Sequence, residues 1–321
     1  MSQSDTKRIV VTGATGQIGQ ALCRRVLARG DTLVVFSRDA QAARQTVPGA
    51  AAYVAWQPEE TGPWAEHIAG AHGIVYLAGG SLYSGRQTEA SVRAETRARA
   101  RGIRGLVRAM AEARVKPRVF VSASSVGAYG YAGVTDAVFT ESSPAGDDFW
   151  GRESLLWEEA ALDAERLGVR AVVPRTGYVL DARPGGGLMR QVAQFRRGFG
   201  GPVWPGTQWL PWIHIADAVG LFLLALDDQR VRGPLNGTAP DAVRNRDFAR
   251  MLGRVVDKPA RLPTPGFALR LGLGVVADTI IHGRQIVPES ALTLGYQFQF
   301  PMLEAALRDL VPPADGAKRA G

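Results

Sequence analysis

The chain has 321 residues, 46% hydrophobic and 21% charged, a globular balance with room for a large domain and a smaller companion. The single cysteine, Cys23, excludes a disulfide framework and a cysteine zinc site. The longest apolar run, 218–226, falls far short of the roughly 20 residues of a membrane span.

The first residues show no secretory pattern, so a cytosolic place is expected, with no membrane partner. The net charge of +8 invites a nucleic-acid reading. It is carried by arginines spread along the chain, and its densest stripe is Arg93, Arg97, Arg101, Arg104 and Arg108 on one helix face. With no nucleic-acid motif beside it, that stripe reads as a solvated face opposite an Ala/Val/Leu/Met core face, and a nucleic-acid partner is disfavoured.

In chain order, short β-branched runs at 8–12, 32–36, 52–55, 73–78, 118–122 and 171–175 predict strands. Helical patterns lie between them at 17–29, 87–113 and 152–167, with Gly30 stopping the first. Such alternation predicts an α/β fold, a doubly wound parallel sheet of the Rossmann kind. After Leu180 the pattern changes: 183–187 and 197–211 are rich in Gly, Pro and Trp and read as loops. The expected organisation is a dinucleotide domain over 1–180, with a helix at 216–228 returning to it. A smaller C-terminal, substrate-side lobe is expected over 181–321.

The segment VVTGATGQIG ends the first strand and opens the first helix. One glycine permits a sharp turn, one lets the backbone approach a diphosphate, and one lets helix and strand pack closely. The helix N-terminus then offers free N–H groups to the anion. Gly13, Thr15, Gly16, Gln17, Ile18 and Gly19 are therefore candidate cofactor contacts. Ser37 and Arg38 end the second strand, and an arginine there accommodates a ribose 2′-phosphate. NADP(H) is thus favoured over NAD, although Asp39 leaves the carboxylate alternative open.

With this turn, AGG at 78–80 and SASSVGAYG at 122–130, the chain resembles the extended short-chain dehydrogenase/reductase superfamily. The resemblance implies a Tyr and a Lys four residues later as the proton-transfer pair. No tyrosine here has Lys or Arg at that spacing, and the aligned positions are Trp150 and Ser154. Further stretches narrow the match: RTGYVL, FRRGFGGPVWPGTQWLPWIHIADA, NGTAP, HGRQIVP and GYQFQFP. They resemble the YfcH-type epimerase family proteins, which lack the same pair and carry a C-terminal domain of unknown function. That implies NADP(H) binding with an unestablished small-molecule substrate. Ala78, Gly79, Gly80, Arg175 and Gly177 would join the cofactor contacts.

The resemblance places a hydroxyl at the end of the fifth strand, at Ser124 or Ser125, with Tyr129 as a further proton donor. Trp209, Trp212 and His214 could wall the substrate side. Alternatively they pack between lobes, with Asp217 capping the following helix. No histidine has a metal-site partner at ligand spacing. Two functions follow: an oxidoreductase or epimerase of unusual mechanism, or a non-catalytic dinucleotide-dependent regulator of the cell-division-inhibitor type.

Overall fold

The computed structural model describes residues 6–57, 62–80, 83 and 85–312; the ends of the two expected lobes, 1–5 and 313–321, lie outside them. Seven strands form the main sheet: β1 (Arg8–Thr12), β2 (Thr32–Ser37), β3 (Ala52–Ala55), β4 (Gly73–Tyr76), β5 (Val119–Ser122), β6 (Arg170–Thr176) and β7 (Gly233–Gly237). All pair parallel in the order β7-β6-β5-β4-β1-β2-β3, and the two-residue strand Ser124–Ser125 continues the pairing along β6. Order reverses between β1 and β4, which opens a crevice at their carboxyl ends.

The strands are apolar on both faces because helices cover both. Ile9 and Val11 of β1 pack with Leu22 and Val26 of α1 (Gln17–Ala28), whereas Val10 faces the opposite way. That second face is covered by α3 (Glu89–Glu112) and α4 (Phe149–Leu162); between α1 and α3 runs the short α2 (Ala40–Thr46). Each buried Leu, Ile or Phe contributes roughly 1.5–3 kcal/mol, so these two layers hold the sheet rigid beneath the crevice. The arginine stripe of α3 stands on its exposed side, as the helical spacing requires.

Residues after Leu180 add α5 (Gly187–Arg196), α6 (Ile215–Asp227) and α7 (Asn245–Val255). The apolar α6 packs back under β1 and β5 through Leu221, Phe222 and Ala225. Strand β7 also returns to the main sheet, which the sequence reading missed. GPLNG carries Gly, Pro and Asn, poor strand formers, and is held by its five-residue register with β6. A separate core of Leu188, Phe195, Trp212, Phe248, Leu252 and Leu307 gathers the remainder.

Candidate functional site

At the crevice Gly13 has φ +67°, and a Cβ there would lie 2.5 Å from the Leu77 carbonyl carbon. A Cβ on Gly19 would strike the Gly13 carbonyl oxygen, so both positions demand glycine. The buried Thr12 hydroxyl accepts from the amides of Leu77 (3.2 Å) and Ala78 (3.3 Å), locking the 78–80 loop to the turn. Gly16 precedes α1 with no side-chain cap, and the first turn holds no acid. The amides of Gln17, Ile18 and Gly19 consequently lack intrahelical acceptors and form a positive cradle for a diphosphate. The Gln17 side chain donates to the Val179 carbonyl (3.1 Å), and that of Gln20 to the Thr15 carbonyl (2.7 Å), bracing the loop from both sides.

Beside the cradle, Asp39 accepts from the Ala42 amide (2.9 Å) as the cap of α2, and its own amide donates to the Ser37 hydroxyl (3.2 Å). One oxygen of the carboxylate that could bond a ribose hydroxyl is thus engaged. Arg38 is exposed and has no partner among the described residues. Under the loop, Gly79 has no room for a Cβ because the Arg99 guanidinium occupies that space, and the Gly80 amide donates to Glu95 (2.5 Å). Arg99 stacks over Trp157 at 4.7 Å, with a buried, unpartnered Nε, and burial lowers its pKa. The sequence reading missed Arg99, although it sits two residues, roughly 200°, from Arg97 and hence off the solvated stripe.

At the end of β5 the predicted hydroxyls separate. Ser124 is buried, donating to Glu158 (2.5 Å) and accepting from the Trp157 indole (3.0 Å). Glu158 also holds Arg175 through two bonds, at 3.0 and 2.8 Å. Burial opposes the Arg175 charge, but the Glu158 bonds and charge outweigh it and hold the guanidinium above its ordinary pKa. Arg175 lies 4.8 Å from the Tyr129 ring. Tyr129 is 2% exposed, and its hydroxyl donates to Asn236 (2.7 Å), with the Thr140 carbonyl at 3.0 Å as a second acceptor. Burial raises this phenol, against the lowering charge of Arg175.

These contacts bear on three expectations. Ser124 and Tyr129 spend their hydroxyls on partners within the protein, and Arg175 holds Glu158 while its Nη1 stays buried without a bond. Ser125 remains: half-buried, it accepts from the Gly127 amide (3.1 Å). A Cβ on Gly127 would stand 3.4 Å from both the Ser125 and Ser154 hydroxyl oxygens, so these two serines face one glycine. Gly177 is needed for packing, since a Cβ would meet the Pro211 carbonyl where Trp212–His214 pairs with Tyr178–Leu180.

The residues of the expected substrate wall make internal contacts as well, in keeping with the packing alternative. Trp212 is buried and donates to the Asp241 carbonyl (2.8 Å), while Trp209 donates to Asp136 (3.0 Å) beneath Arg244. His214 is the actual cap of α6, accepting from the Ala216 amide (3.0 Å) and stacking on Phe300 at 3.8 Å. Asp217 does not cap that helix; it accepts from the amides of Gln299 (2.7 Å) and Phe300 (2.9 Å), anchoring GYQFQFP. Trp212, His214 and Asp217 hold the second lobe together, and Trp209 ties it to Asp136 of the first.

A cavity of about 250 Å³ lies instead beside Tyr131, Phe149, Trp150, Asp278 and His282. Trp150 meets Tyr131 edge-on at 6.2 Å, and a Cβ on Gly127 would stand 3.6 Å from the Tyr131 ring, which links the cavity to the serine pair. His282 has a buried, unpartnered Nδ1, and burial lowers its pKa against the raising charge of Asp278. It comes from HGRQIVP, a stretch the sequence had marked without a role. Among the described residues, no group of three or more His, Cys, Asp or Glu could hold a metal ion.

A parallel sheet with a glycine turn at its point of reversal defines a dinucleotide-fold protein of the Rossmann class. A model of the NAD dependent epimerase/dehydratase family matches residues 9–236, and one of a domain of unknown function, DUF1731, matches 264–310. The chain belongs to the NAD dependent epimerase/dehydratase family. It is 34% identical over 314 residues to the chloroplastic SDR39U1 homolog of Arabidopsis thaliana, an epimerase family protein, covering 97% of this chain and 88% of that one. It is 33% identical over 306 residues to the Bacillus subtilis epimerase family protein YfhF, covering 94% and 97%. The crystal structure of human epimerase family protein SDR39U1 with NADPH matches at TM-score 0.80 and 32% identity, covering 94% of this chain and 98% of that one. The expected family and fold hold. Among the described residues no helix is long and apolar enough to cross a membrane.

Proposed function

We propose that this chain binds NADP(H) at the β1–β4 crevice and serves a redox or epimerising step on a small molecule held beside Tyr131 and Trp150. The observation that carries this reading is the turn itself, with Gly13 left-handed against Leu77 and an uncapped, acid-free helix start behind it. The NADPH of the human relative and the unpaired Arg38 favour the phosphorylated cofactor. When bound, the dinucleotide supplies hydride transfer at its nicotinamide ring.

The amides of Gln17, Ile18 and Gly19 would hold its diphosphate, and Arg38 its 2′-phosphate. Ser125, with Ser154 across Gly127, would offer a hydroxyl to a substrate oxygen. No Lys-activated phenol assists it, so the substrate class is one that needs little help with its proton. The cytosol is the proposed compartment, in keeping with one buried cysteine whose thiol burial pushes up to about 12.

The test is calorimetric titration with NADPH and NADH. Arg38→Ala should weaken NADPH by about 10- to 100-fold, the equivalent of a charge-assisted contact, and leave NADH nearly unchanged. Equal losses for both would remove Arg38 from the phosphate, and absence of NADPH binding would remove the reading. A second reading, a dinucleotide-dependent binding protein without turnover, is favoured by the internal commitment of Ser124, Tyr129 and Arg175. Steady NADPH oxidation in the presence of a small-molecule cell extract supports the first reading. A dinucleotide carried through purification and never consumed supports the second.

A further inference from the structure

The opposite edge of the sheet, where the strands begin, holds a cavity of about 490 Å³. It is lined by Lys7, Arg8, His72, Lys116 and Arg118, with no carboxylate among its described lining residues. We propose that this cavity is a second ligand site, for a compact polyanion of the di- or triphosphate class.

The placement follows from strand register. The His72 amide donates to the Arg8 carbonyl (2.8 Å), and the Arg118 amide to the His72 carbonyl (3.1 Å). Three neighbouring strands therefore bring Arg8, His72 and Arg118 together, roughly 4.8 Å apart from one to the next. Arg8 and Arg118, on either side of His72, together with Lys7 and Lys116, repel one another and draw a counter-charge. The protein supplies little. Lys7 reaches Asp227 at 2.6 Å, but Arg29 shares that carboxylate at 2.8 Å. Arg8 bonds the Ala69 carbonyl and keeps a buried Nε without an acceptor. Lys116 and Arg118 have no anionic partner among the described residues. Burial lowers the His72 pKa, with the charges of Lys7 and Arg118 pressing the same way against the Leu226 carbonyl bond and Asp227.

Neutralising helix C-termini accounts for only part of the cluster. His72 Nε2 lies 3.3 Å from the Leu226 carbonyl at the end of α6. Arg170 already serves the same end, donating to the carbonyls of Ala225 (2.7 Å), Val231 (2.8 Å) and Leu226 (3.2 Å). Lys116 and Arg118 make no such bond among the described residues. The volume lies within the roughly 300–1,000 Å³ of small-molecule sites, and a concave hollow between strand ends suits a clustered anion better than an extended nucleic-acid backbone.

The test is calorimetric titration of inorganic tripolyphosphate into NADPH-saturated protein at physiological salt. One-site binding is expected, weakened at least tenfold in the double variant Lys116→Ala/Arg118→Ala, whose NADPH affinity stays unchanged. The surface control Arg97→Ala/Arg104→Ala on α3 should bind as the unsubstituted protein does. ATP binding as tightly as tripolyphosphate would assign the affinity to the phosphates, wherever they are carried. No saturable heat, unchanged affinity in the double variant, or an equal loss in the α3 control would overturn the site.

Discussion

The glycine turn at β1 and the polar cluster behind β5 sit at the same edge of the sheet and are built in opposite ways. The turn works with backbone. Its glycines remove side chains, its amides stay unpaired, and its helix dipole points outward. The cluster works with side chains, and most of its capacity is spent internally: Ser124, Glu158, Arg175, Tyr129 and Asn236 bond one another in a buried network, with Arg175 Nη1 left without an acceptor among the described residues. A region poised for a ligand keeps donors unpaired, whereas a structural region pairs them. The positions aligned with the superfamily's proton-transfer pair, Trp150 and Ser154, lie outside this cluster and are themselves buried, with Ser154 facing Ser125 across Gly127.

Substitutions at the two regions should therefore fail differently. The largest effect is expected from Gly13→Asp, which puts a side chain into the Leu77 backbone and a negative charge beside the cradle. NADPH binding, followed by cofactor fluorescence, should be lost. Retained affinity would break the contrast at its root.

Next comes Glu158→Gln, which leaves Arg175 buried and uncompensated. About 3–5 kcal/mol of unfolding free energy should disappear in urea denaturation, while any remaining folded protein binds NADPH normally. A loss below about 1 kcal/mol would mean that the pair is not the strut described here.

Tyr129→Phe is a smaller change. It deletes the bond to Asn236 and should cost about 1 kcal/mol without altering cofactor affinity. A larger fall in NADPH affinity than in stability would instead return Tyr129 to the binding face.

The smallest effect is on pH. Burial lowers the pKa of His214, against the raising bond from Asp309, and burial likewise lowers His72 and His282. The unfolded chain, with ordinary histidines near pH 6.5, then binds more protons than the folded one. Stability is full above that value and declines as pH falls below it. The melting temperature should drop between pH 7.5 and 5.5. His214→Asn, which keeps a capping oxygen for α6, should flatten the slope. Identical slopes in both proteins would clear His214 of the effect.

The turn was legible because its signal is local. TGATGQIG lies within a few residues, with a β-branched run before it and an amphipathic helix after it. The first six strands were legible for the same reason. Strand β7 was not, because GPLNG shows no strand pattern of its own and only its register with β6 makes it one. Arg38 and Asp39 read as alternatives in sequence, and the cap of α2, which takes one oxygen of the Asp39 carboxylate, appears only in the fold.

Sequence alone determined the fold class, the family and the position of the dinucleotide turn, since each rests on neighbours close along the chain. Tertiary structure decided which polar groups remain available to a ligand. Tyr129 meets Asn236 across 107 residues, His214 meets Asp309 across 95, and Asp217 meets Phe300 across 83. A hydroxyl or imidazole is a candidate for chemistry until a distant partner satisfies it, and burial makes that satisfaction obligatory. No spacing rule within one chain reveals such partners. Only the packed sheet, with its second lobe closed against it, brings them within hydrogen-bonding distance.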